Sequence, residues 1–158
     1  MTGLLTPSTG LIYLGGLFDG EGSITLTRRI KDKREQFYSA LSLSNTDERV
    51  LQLAQEILGG SINQQSSRGN YVCYNWYASH KTARAAAELL LPYTIIKQKE
   101  LKILCDYYDA MYPLGIKQRS AARWGKFVEG IHKERVEIHE RYREELFNVR
   151  EENRSRHA

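Results

Sequence analysis

Only two of the 158 residues are cysteine. Cys73 and Cys105 lie far apart, and neither has a second Cys or a His at the short spacings that structural zinc sites use. A zinc ribbon and a disulfide-stapled scaffold are therefore excluded, and the pair reads as buried thiols of a reducing compartment. Long apolar runs are also missing. The longest, Leu11 to Phe18, is interrupted by Tyr13, Gly15 and Gly16 and falls well short of the ~20 residues a bilayer-spanning helix requires. No cationic segment precedes an apolar one near residue 1, which predicts no secretory leader. No internal repeat is visible. The expectation is a soluble protein without a membrane partner.

A chain of this length buries one proper core, so residues 1–158 are expected to form one domain. Lys and Arg number 23 against 19 Asp and Glu, a net +4. That excess favours polyanionic partners and is equally compatible with ordinary solubility.

Periodicity supplies the elements. Ser8 and Thr9 precede Leu11, Leu14, Gly15 and Phe18, a stripe at i, i+3, i+4 and i+7 that predicts a hydroxyl-capped helix ending in the acidic tip Asp19 to Gly22. From Ser23 the period becomes two: Ile24 and Leu26 alternate with Thr25, Thr27 and Arg29, and Leu41 and Leu43 with Ala40, Ser42 and Ser44, with Lys31 to Glu35 as the connection. Asn45 and Thr46 cap a second helix that runs through Val50, Leu51, Ala54, Ile57 and Leu58 to Gly59 and Gly60. Ser61 to Ser67, the Arg68-Gly69-Asn70 turn and Tyr71 to Ser79 predict a second hairpin.

A helix from His80 to Leu91 is broken by Pro92, and another from Ile95 to Met111 by Pro113, Leu114 and Gly115. A long charged helix is expected from about Ser120 to Val149, with Trp124, Phe127, Val128, Ile131, Ile138, Tyr142, Leu146 and Phe147 as its apolar positions. Asn148 to Ala158 is almost wholly polar and is expected to fray. The order α-β-β-α-β-β-α, followed by C-terminal helices, predicts an α+β fold with an antiparallel sheet.

Two adjacent glycines inside a helix cost about 0.5 to 1 kcal/mol each relative to Ala, so Gly15 and Gly16 call for close approach of another backbone. A second helix on that face would bring its own acidic tip beside this one. Two carboxylates held together repel unless a cation sits with them, and oxygen ligands suit Mg²⁺, which activates water in phosphodiester hydrolysis. Taken by itself, an Asp-Gly-Glu-Gly run after a helix is more often a solvated turn.

Leu14-Gly15-Gly16-Leu17-Phe18-Asp19-Gly20-Glu21-Gly22, followed by Ser23-Ile24, resembles the nine-residue signature of the LAGLIDADG homing endonucleases. Leu41-Ser42-Leu43-Ser44-Asn45-Thr46-Asp47, Leu58-Gly59-Gly60-Ser61-Ile62 and Leu91-Pro92-Tyr93 leading to Lys97-Gln98-Lys99 resemble further family segments in the family's order. Together they cover about residues 9 to 110. The segment from Ser120 onward has no counterpart in the resemblance.

The resemblance implies roles residue by residue. Glu21, at the motif's eighth position, and the carbonyl of Gly20 would hold the catalytic Mg²⁺ or Mn²⁺, although Asp is the more familiar residue there and Glu adds a methylene. Lys97 resembles the active-site lysine that reaches the scissile phosphate, where a cation stabilises developing charge. Asp47 stands where relatives carry a polar residue that positions solvent, and a first-turn carboxylate favoured by the helix dipole is its alternative. Arg49 is a second basic candidate. Asp19 reads as a turn-stabilising carboxylate.

One signature per chain implies a homodimer, with Leu11, Leu14, Gly15 and Phe18 at its interface and a nearly palindromic double-stranded DNA site. A two-stranded ribbon fits the major groove, and its polar face would offer Thr25, Thr27, Arg29, Lys31, Tyr38, Ala40, Ser42 and Ser44. The second strand pair would add Ser61, Asn63, Gln65, Arg68, Asn75 and Tyr77, with Ile62, Trp76 and Tyr74 turned to the core. For any one of these residues an exposed sheet face in water is the rival reading.

The family cuts across the minor groove and leaves short 3′ overhangs. It works at DNA inside the cell, without a small-molecule cofactor. An RNA maturase or a non-cleaving DNA-binding protein of the same fold is the alternative. A helical interaction module is the more distant one, weakened by the absence of a sustained heptad in the C-terminal segment.

Overall fold

The computed structural model describes residues 6–65 and 72–156. The Arg68-Gly69-Asn70 turn, and Arg68 with it, lies outside the described residues.

Helix α1 spans Pro7–Glu21. Its cap is Thr6 rather than Ser8 or Thr9: the Thr6 hydroxyl accepts from the Thr9 N–H at 3.3 Å, and Pro7 takes the first helical position, where a missing N–H costs nothing. Leu14 and Phe18, each 1% exposed, anchor it, and each full burial contributes roughly 1.5 to 3 kcal/mol.

Strands β1 (Gly22–Lys31) and β2 (Arg34–Asn45) follow, then helix α2 (Glu48–Leu58), strands β3 (Ser61–Gln65) and β4 (Cys73–Ser79), and helix α3 (His80–Leu90). The β1–β2 connection is tighter than expected. Asp32 and Lys33 alone make the turn, both left-handed at φ 52° and 60°, the conformation whose twist matches a hairpin, so Lys31 belongs to the strand. The sheet is antiparallel in the order β1-β2-β4-β3. β4 therefore lies between its hairpin partner β3 and β2, with Leu43 opposite Trp76 and Ser42 opposite Tyr77.

Helices cover one face of the sheet, where Ile24, Leu26, Leu41, Leu43, Trp76 and Ala78 enter a common core with Leu51, Ala54, Leu90, Leu101 and Leu104. Trp76 is fully buried and donates its indole N–H to the Gly59 carbonyl at 2.7 Å. At Gly60, φ is +86° and a Cβ would stand 2.6 Å from the Tyr77 carbonyl oxygen, so the α2–β3 corner requires glycine. Ile62 and Tyr74 are half-buried against this core. Cys105 is buried, and desolvation pushes its thiol up to about 11, whereas Cys73 is only half-buried.

After a 3-10 turn at Leu91–Tyr93, the C-terminal half departs from expectation. Helix α4 runs Gln98–Ala122 straight through Pro113. Pro113 sits on the exposed side of a helix held by the burial of Tyr107, Met111 and Leu114, which offsets the lost backbone bond. The break falls instead at 123–128, where Gly125 takes φ +67°, and helix α5 spans Glu129–Ser155. Trp124 is 83% exposed, and Phe127 and Phe147 are also exposed, so these three are not core positions. Of the expected positions α5 buries Leu146, together with Val149 and His139. The polar stretch from Asn148 stays helical through Ser155 because Arg150 and Asn153 bond to other elements. Among the described residues, no helix is long and apolar enough to cross a membrane.

Candidate active site and nucleic-acid face

Glu21 is the last residue of α1, with an exposed side chain. The chain turns at once into β1, and the Gly22 N–H donates to the Phe18 carbonyl. The final-turn carbonyls of a helix, Gly20's among them here, have no intrahelical partners, and they form the negative end of its dipole. A carboxylate and helix-end carbonyls thus share one tip.

Asn45, at the end of β2, completes this corner. Its Oδ1 accepts from the Asp47 N–H at 2.9 Å, and its Nδ2 donates to Glu21 Oε2 at 3.3 Å. A carboxylate only accepts and an N–H only donates, so the two contacts fix which end of the amide faces which partner. Asp47 itself caps α2. Its Oδ1 accepts from the Arg49 N–H at 3.1 Å and Nε at 2.9 Å, and these bonds, the guanidinium's first, hold its carboxyl down to about 2. Of the two readings of Asp47, the geometry is that of the helix-start carboxylate, with Arg49 drawn to it. The cap is Asp47 rather than Asn45 or Thr46.

Asp19 acts at long range rather than in its own turn. Oδ2 accepts from the Ile95 N–H at 2.7 Å and the Ile96 N–H at 3.2 Å, and Oδ1 from the Lys97 N–H at 2.9 Å. This pins the segment before α4 to the end of α1. Lys97, half-buried, then reaches back so that Nζ donates to the Phe18 carbonyl at 3.0 Å, 5.7 Å from the Phe18 ring centre. Burial pushes the ammonium below the ordinary lysine value and Arg150 adds to this, while Glu100 and Asp19 oppose it. Glu21 and Lys97, distant in sequence, are thus both tied to the last turn of α1.

Among the described residues, no three His, Cys, Asp or Glu side chains converge on one point that could hold a metal. What the tip does offer is all oxygen: one carboxylate and helix-end carbonyls. That set fits Mg²⁺, which is commonly held by one or two carboxylates completed by phosphate oxygens and water, and it does not fit a self-contained zinc or calcium cage.

The two central glycines of α1 stand in different surroundings. A Cβ on Gly15 would stand 2.4 Å from the Tyr93 carbonyl oxygen, so Gly15 is small because the 3-10 turn of its own chain lies against it. Leu14 and Phe18 share that inward face, and Leu11 is half-buried beside it. Leu14, Gly15 and Phe18, expected at a dimer contact, are therefore unavailable to a partner. A Cβ on Gly16 or Gly20 would meet nothing within 4 Å among the described residues. With the exposed Ile12 and Tyr13, these glycines form the open face of the helix.

On the sheet, cross-strand register places Thr25 opposite Ala40, Thr27 opposite Tyr38, Ser42 opposite Tyr77, Ser44 opposite Asn75, and Asn75 opposite Asn63. Arg29, Lys31, Ser61 and Gln65 continue the same face by alternation, so every described residue expected there lies on one side of the sheet. Ala40 is the exception in reach: between Thr25 and Ser79 it is only 5% exposed, too recessed to meet a ligand.

Sequence reading missed Gln36, opposite Arg29, and Ser79, opposite Ala40, although extending the two-residue period would have found both. It also missed His80, whose ring lies 5.1 Å from that of Tyr38, itself 5.7 Å from the Arg29 guanidinium. Asn45 was hidden by its alternative as a helix cap.

The family model for LAGLIDADG endonucleases matches residues 14–108. An intron-encoded DNA endonuclease, ai2b, of Dictyostelium discoideum is 26% identical over 134 residues, which cover 80% of this chain, and the chain spans only 50% of that relative's length. Among solved structures, the homing endonuclease I-CvuI, crystallised with its target in the presence of Ca, is similar with a TM-score of 0.62 at 18% identity, covering 90% of this chain and 96% of that one. The archaeal intron-encoded homing endonuclease I-Vdi141I, complexed with DNA, gives 0.57 at 14% identity, covering 87% and 98%. At such identities the structures speak for the fold alone. The family match takes in the helix tip with Glu21, all four strands and the segment carrying Lys97, and on it the chain belongs to the LAGLIDADG endonuclease family.

Proposed function

We propose that this protein is a site-specific DNA endonuclease that works as a homodimer, reads a long pseudo-palindromic duplex through its sheet, and cuts both strands with a divalent metal, leaving short 3′ overhangs. The observation that carries the proposal is the end of α1. Glu21 stands at a helix tip whose open face, Ile12, Tyr13, Gly16 and Gly20, lets a second copy bring its own tip close.

Glu21 and the Gly20 carbonyl would hold Mg²⁺ or Mn²⁺, which supplies an activated water and charge stabilisation at the phosphate when bound. Asn45 orients the Glu21 carboxylate, and the Asp47 N–H orients Asn45 in turn. Lys97 directs its ammonium to the end of α1, where phosphate charge would develop. Neither role needs the Asp47 carboxylate, which Arg49 occupies.

The polar face supports base reading. Asn63, Gln65 and Asn75 present amides suited to adenine edges, Arg29 suits guanine, and hydroxyls suit either. The net charge of +4 adds a sequence-independent attraction to phosphate. Work at DNA inside the cell is the setting this implies. Incubating the purified protein and Mg²⁺ with a library of duplex sites, and sequencing the cut ends, tests the reading. Discrete double-strand breaks at one long site are expected, and specific binding without any cleavage would favour a non-cleaving protein of the same fold.

A further inference from the structure

The C-terminal helix reaches the proposed cleavage site. Arg150 of α5 donates from Nε to Glu100 Oε2 at 2.9 Å and from Nη2 to the Ile24 carbonyl. Glu100 stands in the first turn of α4, three residues after Lys97, and Ile24 lies three residues after Glu21 on β1. One guanidinium thus spans the two segments that carry the site's acid and its base. Around it, Asn153 Nδ2 donates to the Ile96 carbonyl at 3.3 Å, and Lys99 Nζ pairs with Glu152 at 3.2 Å. The segment 95–97 is therefore gripped from two sides, by Asp19 of α1 and by the last turns of α5.

Glu100 is 5% exposed, and a carboxylate buried that deeply requires a charged or hydrogen-bonding partner. The choice of arginine is specific, because a planar fork can serve a carboxylate and a backbone carbonyl at one fixed angle, whereas a lysine ammonium is a single point. We propose that Arg150 is a positioning residue of the cleavage site, holding the Lys97 segment in register with the strand that follows Glu21. This rests on the endonuclease reading above.

The test combines cleavage with amide exchange, using the full chain. Arg150→Met is expected to slow single-turnover cleavage about tenfold to a hundredfold, the scale on which small misplacements act, while DNA affinity in Ca²⁺ stays unchanged. Lys97→Ala/Arg150→Met is expected to cleave no slower than Lys97→Ala alone, a non-additivity that a purely stabilising ion pair would not produce. Arg150→Lys, which keeps the charge and loses the fork, guards against a misfolded Met variant and is expected to be slowed as well. Unchanged cleavage by a folded Arg150→Lys, or additive losses in the double variant, would overturn the proposal.

Amide exchange at 95–97 separates the two readings. It is expected to quicken in the Arg150 variants. Unchanged exchange there refutes the positioning role whether or not the unaltered protein cuts DNA, whereas quickened exchange in a protein that never cuts counts against the endonuclease reading alone.

Discussion

Asn45 donates its side-chain N–H to Glu21 Oε2 while accepting the Asp47 N–H, so the start of α2 sets the orientation of the carboxylate at the end of α1. Glu has one more rotatable bond than the Asp more familiar at this position, and an unrestrained carboxylate would sample positions away from the proposed metal. The Asn45 amide restrains that freedom.

Asn45→Ala is therefore expected to lower the cleavage rate about tenfold or more and to raise the Mg²⁺ concentration needed for half-maximal rate, with target affinity unchanged. Mg²⁺ titrations of single-turnover cleavage check this. Asp47→Ser, which keeps a capping oxygen and the backbone N–H, is expected to cut nearly as fast as the unaltered protein. A much slower Asp47→Ser would return the Asp47 carboxylate to the site.

Gly15 and Gly16 should respond to substitution in different ways. Gly15→Leu drives a side chain into Tyr93 of its own chain, and thermal unfolding is expected to show overpacking of roughly 1 to 3 kcal/mol or more. A Cβ at Gly16 meets none of the described residues, and Gly16→Leu is expected to leave the protomer folded while shifting sedimentation from dimer to monomer. A fully dimeric Gly16→Leu would remove this helix face from the interface.

His139 is buried, with Nδ1 2.9 Å from the Tyr107 hydroxyl and Nε2 without a partner among the described residues. Burial pushes its imidazole below the ordinary value of 6.5, and Arg143 and Arg28 add to this against Glu140 and Glu35. The unfolded chain then binds the proton more readily than the folded one. Stability contributed by neutral His139 is complete above about pH 6.5 and declines as pH falls towards the folded value. Denaturant titrations from pH 7.5 to 5 should show that decline and a shallower one in His139→Gln. Equal slopes would contradict it.

Asn75 pairs across the sheet with both Ser44 and Asn63, and its Oδ1 accepts from the Ser44 hydroxyl at 3.0 Å. Asn75→Ala is expected to relax specificity at one or two base pairs per half-site, on the order of 1 to 3 kcal/mol of discrimination each, and to leave the salt dependence of binding unchanged. Lys31→Ala should instead weaken binding to all sequences alike and reduce the salt slope by about 1. Cleavage of a library of half-site variants distinguishes the two.

The sheet and its polar face were legible because side chains of a strand alternate strictly, and a residue's side follows from counting. Ala40 shows the limit: counting gives its side and not its depth. α1 was legible as a helix with an acidic tip, but not which of its two glycines faces inward, because that depends on where the Tyr93 turn folds back. Pro113 misled because a helix tolerates a proline when its neighbours are buried, and burial of Met111 and Leu114 is a tertiary fact. Asp19 and Arg150 were invisible as connectors for the same reason. The partners of Asp19 stand 76 to 78 positions away and those of Arg150 stand 50 and 126, and no local pattern carries such distances.

The most direct measurement is cleavage by Glu21→Gln, a substitution that keeps the side chain's size and removes its charge. With Mg²⁺ and the selected duplex site, the variant is expected to bind as tightly as the unaltered protein and to cut neither strand, and EDTA is expected to silence the unaltered protein. Full cleavage by Glu21→Gln, or cleavage that survives EDTA, would contradict the account.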